Sequence, residues 1–178
     1  MKKNAILLTP GPTPLAPEVL EALSAPIIHH RTDEYRAVFH EARLGLKEIF
    51  RTANDVYVLT ASGTGAMEAS CANFLSPRDP VLVLTAGKWG ERFCEIAQSY
   101  GLECDCLSAP YGETFDAGKV KEAVRKKSYK AVYATLCETS TGVVHDIPAI
   151  GALVAETGAL FVVDAVSGLL TDRLDILL

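Results

Sequence analysis

Asp164 closes the apolar run Ala159-Leu160-Phe161-Val162-Val163. A carboxylate there must be solvated, paired or hydrogen-bonded, because burying it alone costs several kcal/mol. A cationic nitrogen of a ligand would satisfy it, and so would an Arg, a His or a backbone amide. Upstream, Thr60-Ala61-Ser62-Gly63-Thr64-Gly65 combines hydroxyls with glycines that admit close backbone approach. It runs into a predicted helix whose free N–H groups suit a phosphate. The stretch lacks the lysine of G-x-x-x-x-G-K-[ST], and Glu68 stands where G-x-G-x-x-G needs its last glycine. A serine N-cap followed by a tight turn accounts for the same residues. Trp89, the sole Trp, lies in Ala86-Gly87-Lys88-Trp89-Gly90 and is either a core residue or a flat platform for a planar ring. Cys137-Glu138-Thr139-Ser140-Thr141-Gly142 presents three hydroxyls that can form a turn or bind polar ligand atoms.

Each of these segments follows a stretch of strand-like pattern, and ligands of open parallel sheets bind beyond the carboxyl ends of the strands. The predicted strands are Val56 to Leu59, Val81 to Leu84, Leu102 to Leu107, Ala131 to Leu136 and Ala159 to Val163. Tyr35, Val38, Phe39, Ala42, Leu46, Ile49 and Phe50 recur at helical spacing, which predicts a helix over Asp33 to Phe50 with one buried face. Further helices are expected over Ala66 to Leu75 and over Gly90 to Tyr100, with a stop at Gly101. Another starts from an Asp116 N-cap and runs through Val120 to Lys127, and the last covers Ile150 to Glu156 between Pro148 and Gly158. The alternation implies an α/β fold with a mainly parallel sheet flanked by helices. A Pro-rich arm, residues 1–32, would precede one continuous domain, residues 33–178.

The 178 residues amount to roughly one domain of about 150 residues, and 49% hydrophobic with 22% charged content is that of a globular chain. No apolar run approaches the ~20 residues of a membrane span, and the N-terminus is too short in apolar residues for a secretory signal, so a cytoplasmic location is expected. Seventeen basic against twenty-two acidic residues give a net charge of −5. The triplet Arg125-Lys126-Lys127 suits the end of a helix rather than a polyanion site, so no nucleic acid is expected. The five cysteines are odd in number and not at C-x₂-C spacing; they read as reduced structural thiols with no metal, and Cys104 and Cys106 would share a strand face.

In order and spacing, the strand ends resemble the class V family of pyridoxal-phosphate aminotransferases, most closely the alanine–glyoxylate and serine–pyruvate group. The resemblance covers essentially the whole chain. It runs through Thr9-Pro10-Gly11-Pro12-Thr13, His30-Arg31, Ser62-Gly63-Thr64-Gly65-Ala66-Met67-Glu68-Ala69 and Gly87-Lys88-Trp89-Gly90-Glu91-Arg92. It continues in Glu138-Thr139-Ser140-Thr141-Gly142-Val143 and Asp164-Ala165-Val166-Ser167. It implies the large domain of a fold-type I enzyme with pyridoxal 5'-phosphate as cofactor. Ser62, Gly63 and Thr64 would hold the phosphate, Trp89 would stack on the pyridine ring, and Val166 would touch its other face. Thr139 would lie near the phenolic oxygen, and Asp164 would pair with the pyridine nitrogen and keep it protonated. Trp89 favours the transaminase branch, since related desulfurases usually place a histidine at that position.

The family also has a lysine that forms the Schiff base and moves a proton between substrate and cofactor carbons. It belongs to a Ser-x-x-Lys motif downstream of the aspartate, whereas the last lysine here is Lys130. The resemblance therefore implies the N-terminal portion of a transaminase, incomplete at the C-terminus and inactive by itself. Completed, it would transfer an amino group from alanine or serine to glyoxylate or pyruvate, as a homodimer. Other readings stay open: a lysine-free, non-catalytic cofactor binder or regulatory subunit of a two-chain assembly; a 2-aminoethylphosphonate-type transaminase, similar in Cys137-Glu138-Thr139; or a simple nucleotide-binding domain. Ile176-Leu177-Leu178 would form an exposed apolar strand edge. His29 and His30 would lie near the substrate entrance, and His40 on the polar side of its helix.

Overall fold

The computed structural model describes residues 6–170, so the expected edge at Ile176-Leu177-Leu178 lies outside the described residues. The described residues divide into two compact units, residues 6–57 and residues 58–170. The first holds α1 (Pro17–Ser24) and α2 (Asp33–Phe50), the latter as the periodicity predicts. The Thr32 side chain accepts a hydrogen bond from the Tyr35 N–H, Asp33 and Glu34 sit in the first turn, and Lys47 sits in the last, all in keeping with the helix dipole. Arg51 ends α2 in the left-handed conformation, φ 51°. The predicted buried face is not realised: no residue of α2 is buried, and Val38, Phe39 and Leu44 are exposed. Periodicity identifies an apolar stripe, but says nothing of what covers it.

Val56 to Leu59 is not a strand. The Val56 carbonyl is taken by the Arg43 guanidinium at 3.3 Å instead of a ladder partner, and Arg43 and Lys47 both pair with Asp55. A β-favouring composition does not make a strand without a neighbour to pair with.

The second unit follows the strand-helix rhythm: α3 (Gly63–Phe74), β1 (Pro80–Thr85), α4 (Lys88–Ser99), β2 (Glu103–Ser108), α5 (Ala117–Val124) and β3 (Ala131–Thr135). A short ladder of β4 (Cys137–Glu138) with β5 (Val143–Val144) precedes α6 (Ile147–Ala155) and β6 (Leu160–Asp164). Asp116 caps α5 through the Lys119 N–H as predicted, but the helix stops at Val124 rather than Lys127. The basic residues beyond it make ion pairs, Arg125 with Glu156 at 2.6 Å and Lys127 with Asp105 at 3.0 Å. Among the described residues the main sheet has four strands, all parallel, in the order β2-β1-β3-β6, so the connecting helices cover both faces.

Strand alternation divides the core. Val81 and Val83 of β1 face a cluster with Met67, Phe93 and Tyr133, fed by α3 and α4, whereas Leu82 and Leu84 face one with Val120, Val124 and Ile150, fed by α5 and α6. Each of these wholly buried aliphatic side chains contributes about 1.5–3 kcal/mol to folding. β6 is only half-buried, and no described strand pairs with its outer edge.

One expectation about the cysteines is overturned. Cys94 of α4 and Cys106 of β2 are joined in a disulfide, while Cys71, Cys104 and Cys137 are free. The pair is twelve residues apart in sequence and meets only because α4 packs on β2.

Candidate active site

The carboxyl ends of β1, β3 and β6 lie side by side, with Thr135 in register with Asp164 and the Leu136 N–H donating to the Asp164 carbonyl at 2.8 Å. Parallel pairing thus gathers segments separated by many residues of chain.

Asp164 ends β6 half-buried. Its Oδ1 accepts a hydrogen bond from the Val166 N–H at 2.9 Å, and among the described residues no ion pair involves it. Burial raises the Asp164 carboxyl above its ordinary value; the Val166 N–H opposes the rise and the nearby Glu138 charge adds to it. A backbone amide is therefore present, but a compensating cation is not among the described groups.

Val166 is exposed, and a Cβ built on Gly63 would meet its Cγ2 at 3.4 Å, which sets the turn after β6 against the start of α3. Ser62 is the residue before α3, but its hydroxyl makes no capping hydrogen bond. The serine-cap reading of this turn is thus not what the side chain does: an exposed hydroxyl and a free helix N-terminus remain. Gly65 is sterically required, since a Cβ there would lie 2.7 Å from that of Ala61.

Trp89 is not a core residue, being 36% exposed in the first turn of α4. Its N–H donates to both carboxylate oxygens of Glu138, at 3.2 and 3.1 Å, and the Gly90 N–H donates to Oε2 at 3.2 Å. Glu138 is wholly buried; the Ser140 hydroxyl donates to it at 2.7 Å, and the Lys88 N–H donates to that hydroxyl at 3.0 Å. A side chain at Gly87 would collide with Glu138 and Ser140. Thr139 and Ser167 share a hydroxyl–hydroxyl hydrogen bond, tying the loop after β3 to the turn after β6.

The structure therefore links Gly63 to Val166, Val166 to Asp164, Thr139 to Ser167, and Trp89 to the Glu138 loop. For the side chains of Ser62 and Thr64 it gives position alone, at the start of α3. Glu138 and Ser167 stood in the quoted motifs without a role, and Ser140 only as one of three hydroxyls of a turn. The signal for Glu138 was of the kind that singled out Asp164: a carboxylate following an apolar strand has to be satisfied.

Residues 6–177 match the family described as Aminotransferase class-V. The chain is 43% identical over 173 residues to the soluble hydrogenase 42 kDa subunit of Anabaena cylindrica, covering 95% of this chain and 45% of that protein. It is 35% identical to the alanine–glyoxylate aminotransferase of Rattus norvegicus, covering 92% of this chain and 40% of that one. Among solved structures, an aspartate aminotransferase of subgroup IV from Thermus thermophilus superposes with a TM-score of 0.91 at 42% identity, over 97% of this chain and 49% of that one. The chain spans about half the length of the relatives it matches. No helix among the described residues is long and apolar enough to cross a membrane. The parallel sheet with helices on both faces is that of the fold-type I pyridoxal-phosphate enzymes, and the chain belongs to the class-V aminotransferase family.

Proposed function

We propose that this chain carries the pyridoxal-phosphate cradle of a transaminase. The observation that bears most weight is Asp164: a half-buried carboxylate without a described cationic partner, at the end of a strand and joined through Val166 to the start of α3. A protonated ring nitrogen supplies the missing cation, and a phosphate suits the free N–H groups of the helix start. Ser62, Gly63 and Thr64 would hold the phosphate, Trp89 and Val166 the two ring faces, Thr139 the phenolic oxygen and Asp164 the nitrogen. When bound, the cofactor supplies an electron-withdrawing ring that stabilises negative charge at the substrate α-carbon. The protein's part is to orient the ring between Trp89 and Val166 and, through the Asp164 carboxylate, to hold a proton on its nitrogen.

The complete protein would transfer an amino group between a small amino acid, alanine or serine, and a 2-oxo acid, glyoxylate or pyruvate, as a homodimer. The alanine–glyoxylate relative supports that substrate class. This chain alone would be inactive. In the second unit Lys88 sits at the carboxyl end of β1, but its ammonium pairs with Glu91 at 3.2 Å; Lys119 and Lys121 lie on α5 and Lys130 precedes β3. The same placement favours, as a second reading, a cofactor-binding subunit that draws its lysine from another chain.

Trp89, the sole Trp, is its own reporter. Pyridoxal phosphate should quench its fluorescence saturably, pyridoxal should do so at least tenfold more weakly, and borohydride should fix no cofactor at a specific site. Absence of quenching would overturn the cradle, and turnover of alanine with glyoxylate by this chain alone would overturn the assigned inactivity.

A further inference from the structure

Away from the strand ends, three sulfur ligands meet where β2 packs against α4. Cys104 and Cys106 are alternate residues of β2 and share that face, and Cys94 comes from α4. The three Sγ atoms all lie within 4.8 Å of one another, with those of Cys104 and Cys106 3.8 Å apart. Two thiolates about 2.3 Å from a tetrahedral zinc ion are themselves about 3.8 Å apart, so this pair already has the spacing of an S–M–S edge. The α-carbons of Cys94 and Cys106, 7.0 Å apart, also leave room for two thiolates on a shared ion. Burial grades from buried Cys94 through half-buried Cys104 to exposed Cys106, which gives an ion a route in and leaves a fourth position for water.

We infer that the reduced chain binds a thiophilic divalent cation of the zinc class through Cys94, Cys104 and Cys106, and that this site and the Cys94–Cys106 disulfide exclude each other. The balance is simple. A dithiol reductant gives two electrons and two protons to the disulfide and itself closes to a disulfide. The three thiols then release three protons as three S–metal bonds form, leaving two positive charges against three thiolates. No paired spacing announces the site in the sequence, because Cys94 and the β2 pair come from different elements. The site is independent of the cofactor cradle.

The test uses the full chain, reduced with dithiothreitol, desalted without oxygen, checked for five reactive thiols, and titrated with Co²⁺ and Zn²⁺ alone. One Co²⁺ per chain is expected, with a thiolate-to-metal charge-transfer band and visible d–d bands that Zn²⁺ abolishes. Cys104→Ser and Cys106→Ser should each weaken uptake at least tenfold, and Cys137→Ser should leave it unchanged. Should Cys94→Ser fail to fold, the two β2 variants, checked for native circular dichroism, still decide the matter. A fully reduced chain that takes up neither ion, or uptake undiminished in the β2 variants, overturns the inference.

Discussion

The wholly buried carboxylate of Glu138 accepts the main-chain N–H of Trp89 at 3.1 Å. Three further donors, the Gly90 N–H and the N–H and hydroxyl of Ser140, also reach it, so one acidic side chain both caps α4 and fixes the backbone that carries the indole. Glu138→Ala should leave those donors buried and unmade, at a cost of about 2–4 kcal/mol in urea unfolding. Glu138→Gln retains one acceptor oxygen and should cost less. Both should shift the Trp89 emission maximum, a change that destabilisation elsewhere in the fold would not produce.

Gly90 is held against main chain rather than against a yielding side chain. A Cβ there would lie 2.8 Å from the Thr85 α-carbon and 3.0 Å from the Leu84 carbonyl oxygen. Gly90→Ala should therefore push α4 off β1 and cost about 1–3 kcal/mol, while Gly112→Ala, with open space around it, should cost only the strain of its positive φ of 89°. Denaturant midpoints of the two variants check the contrast.

His145 is buried, with neither ring nitrogen hydrogen-bonded among the described residues and its ring centroid 4.3 Å from that of Phe115. Burial lowers its pKa below the ordinary 6.5, and the Glu138 charge opposes this only in part. The unfolded chain thus binds the imidazole proton more readily than the folded one. Its contribution to stability is present above 6.5 and is lost as pH falls from there through the folded value, at no more than about 1.4 kcal/mol per pH unit. His145→Leu should flatten the stability profile between pH 7 and the acid side of that window. A wild-type profile that is already flat there would refute the assignment.

The helices and buried strands were legible because their signals are local: α2 follows from its apolar spacing, the start of α5 from Asp116, and β1 from the apolar run Val81 to Leu84. What escaped depends on tertiary neighbours. Val56 to Leu59 has strand composition but a carbonyl claimed by Arg43, Cys94 meets Cys106 only across α4 and β2, and the Trp89 and Gly90 donors to Glu138 lie almost fifty residues upstream. The positions of Asp164 and Trp89 at the carboxyl ends of β6 and β1 were readable because a parallel sheet puts every such end on one side, whereas the Ser62 turn follows no strand among the described residues. That Ser62 leaves its helix uncapped was not readable.

Asp164 gives the sharpest separation of function from structure. Its carboxyl is raised above the ordinary 3.8, first by burial, so the folded chain holds the proton more tightly than the unfolded one. The resulting stability is fully present below 3.8 and is lost as pH rises through the folded value, which leaves the ionised side chain a standing cost at neutral pH. Asp164→Asn removes the charge and keeps an oxygen for the Val166 N–H. The free chain should therefore become more stable, read as a higher Tm at neutral pH. The same variant should bind pyridoxal phosphate at least tenfold more weakly by Trp89 quenching, since the ring nitrogen loses its anion. An aspartate kept only to hold the Val166 turn would show the reverse: a lower Tm on substitution and an unchanged response to the cofactor.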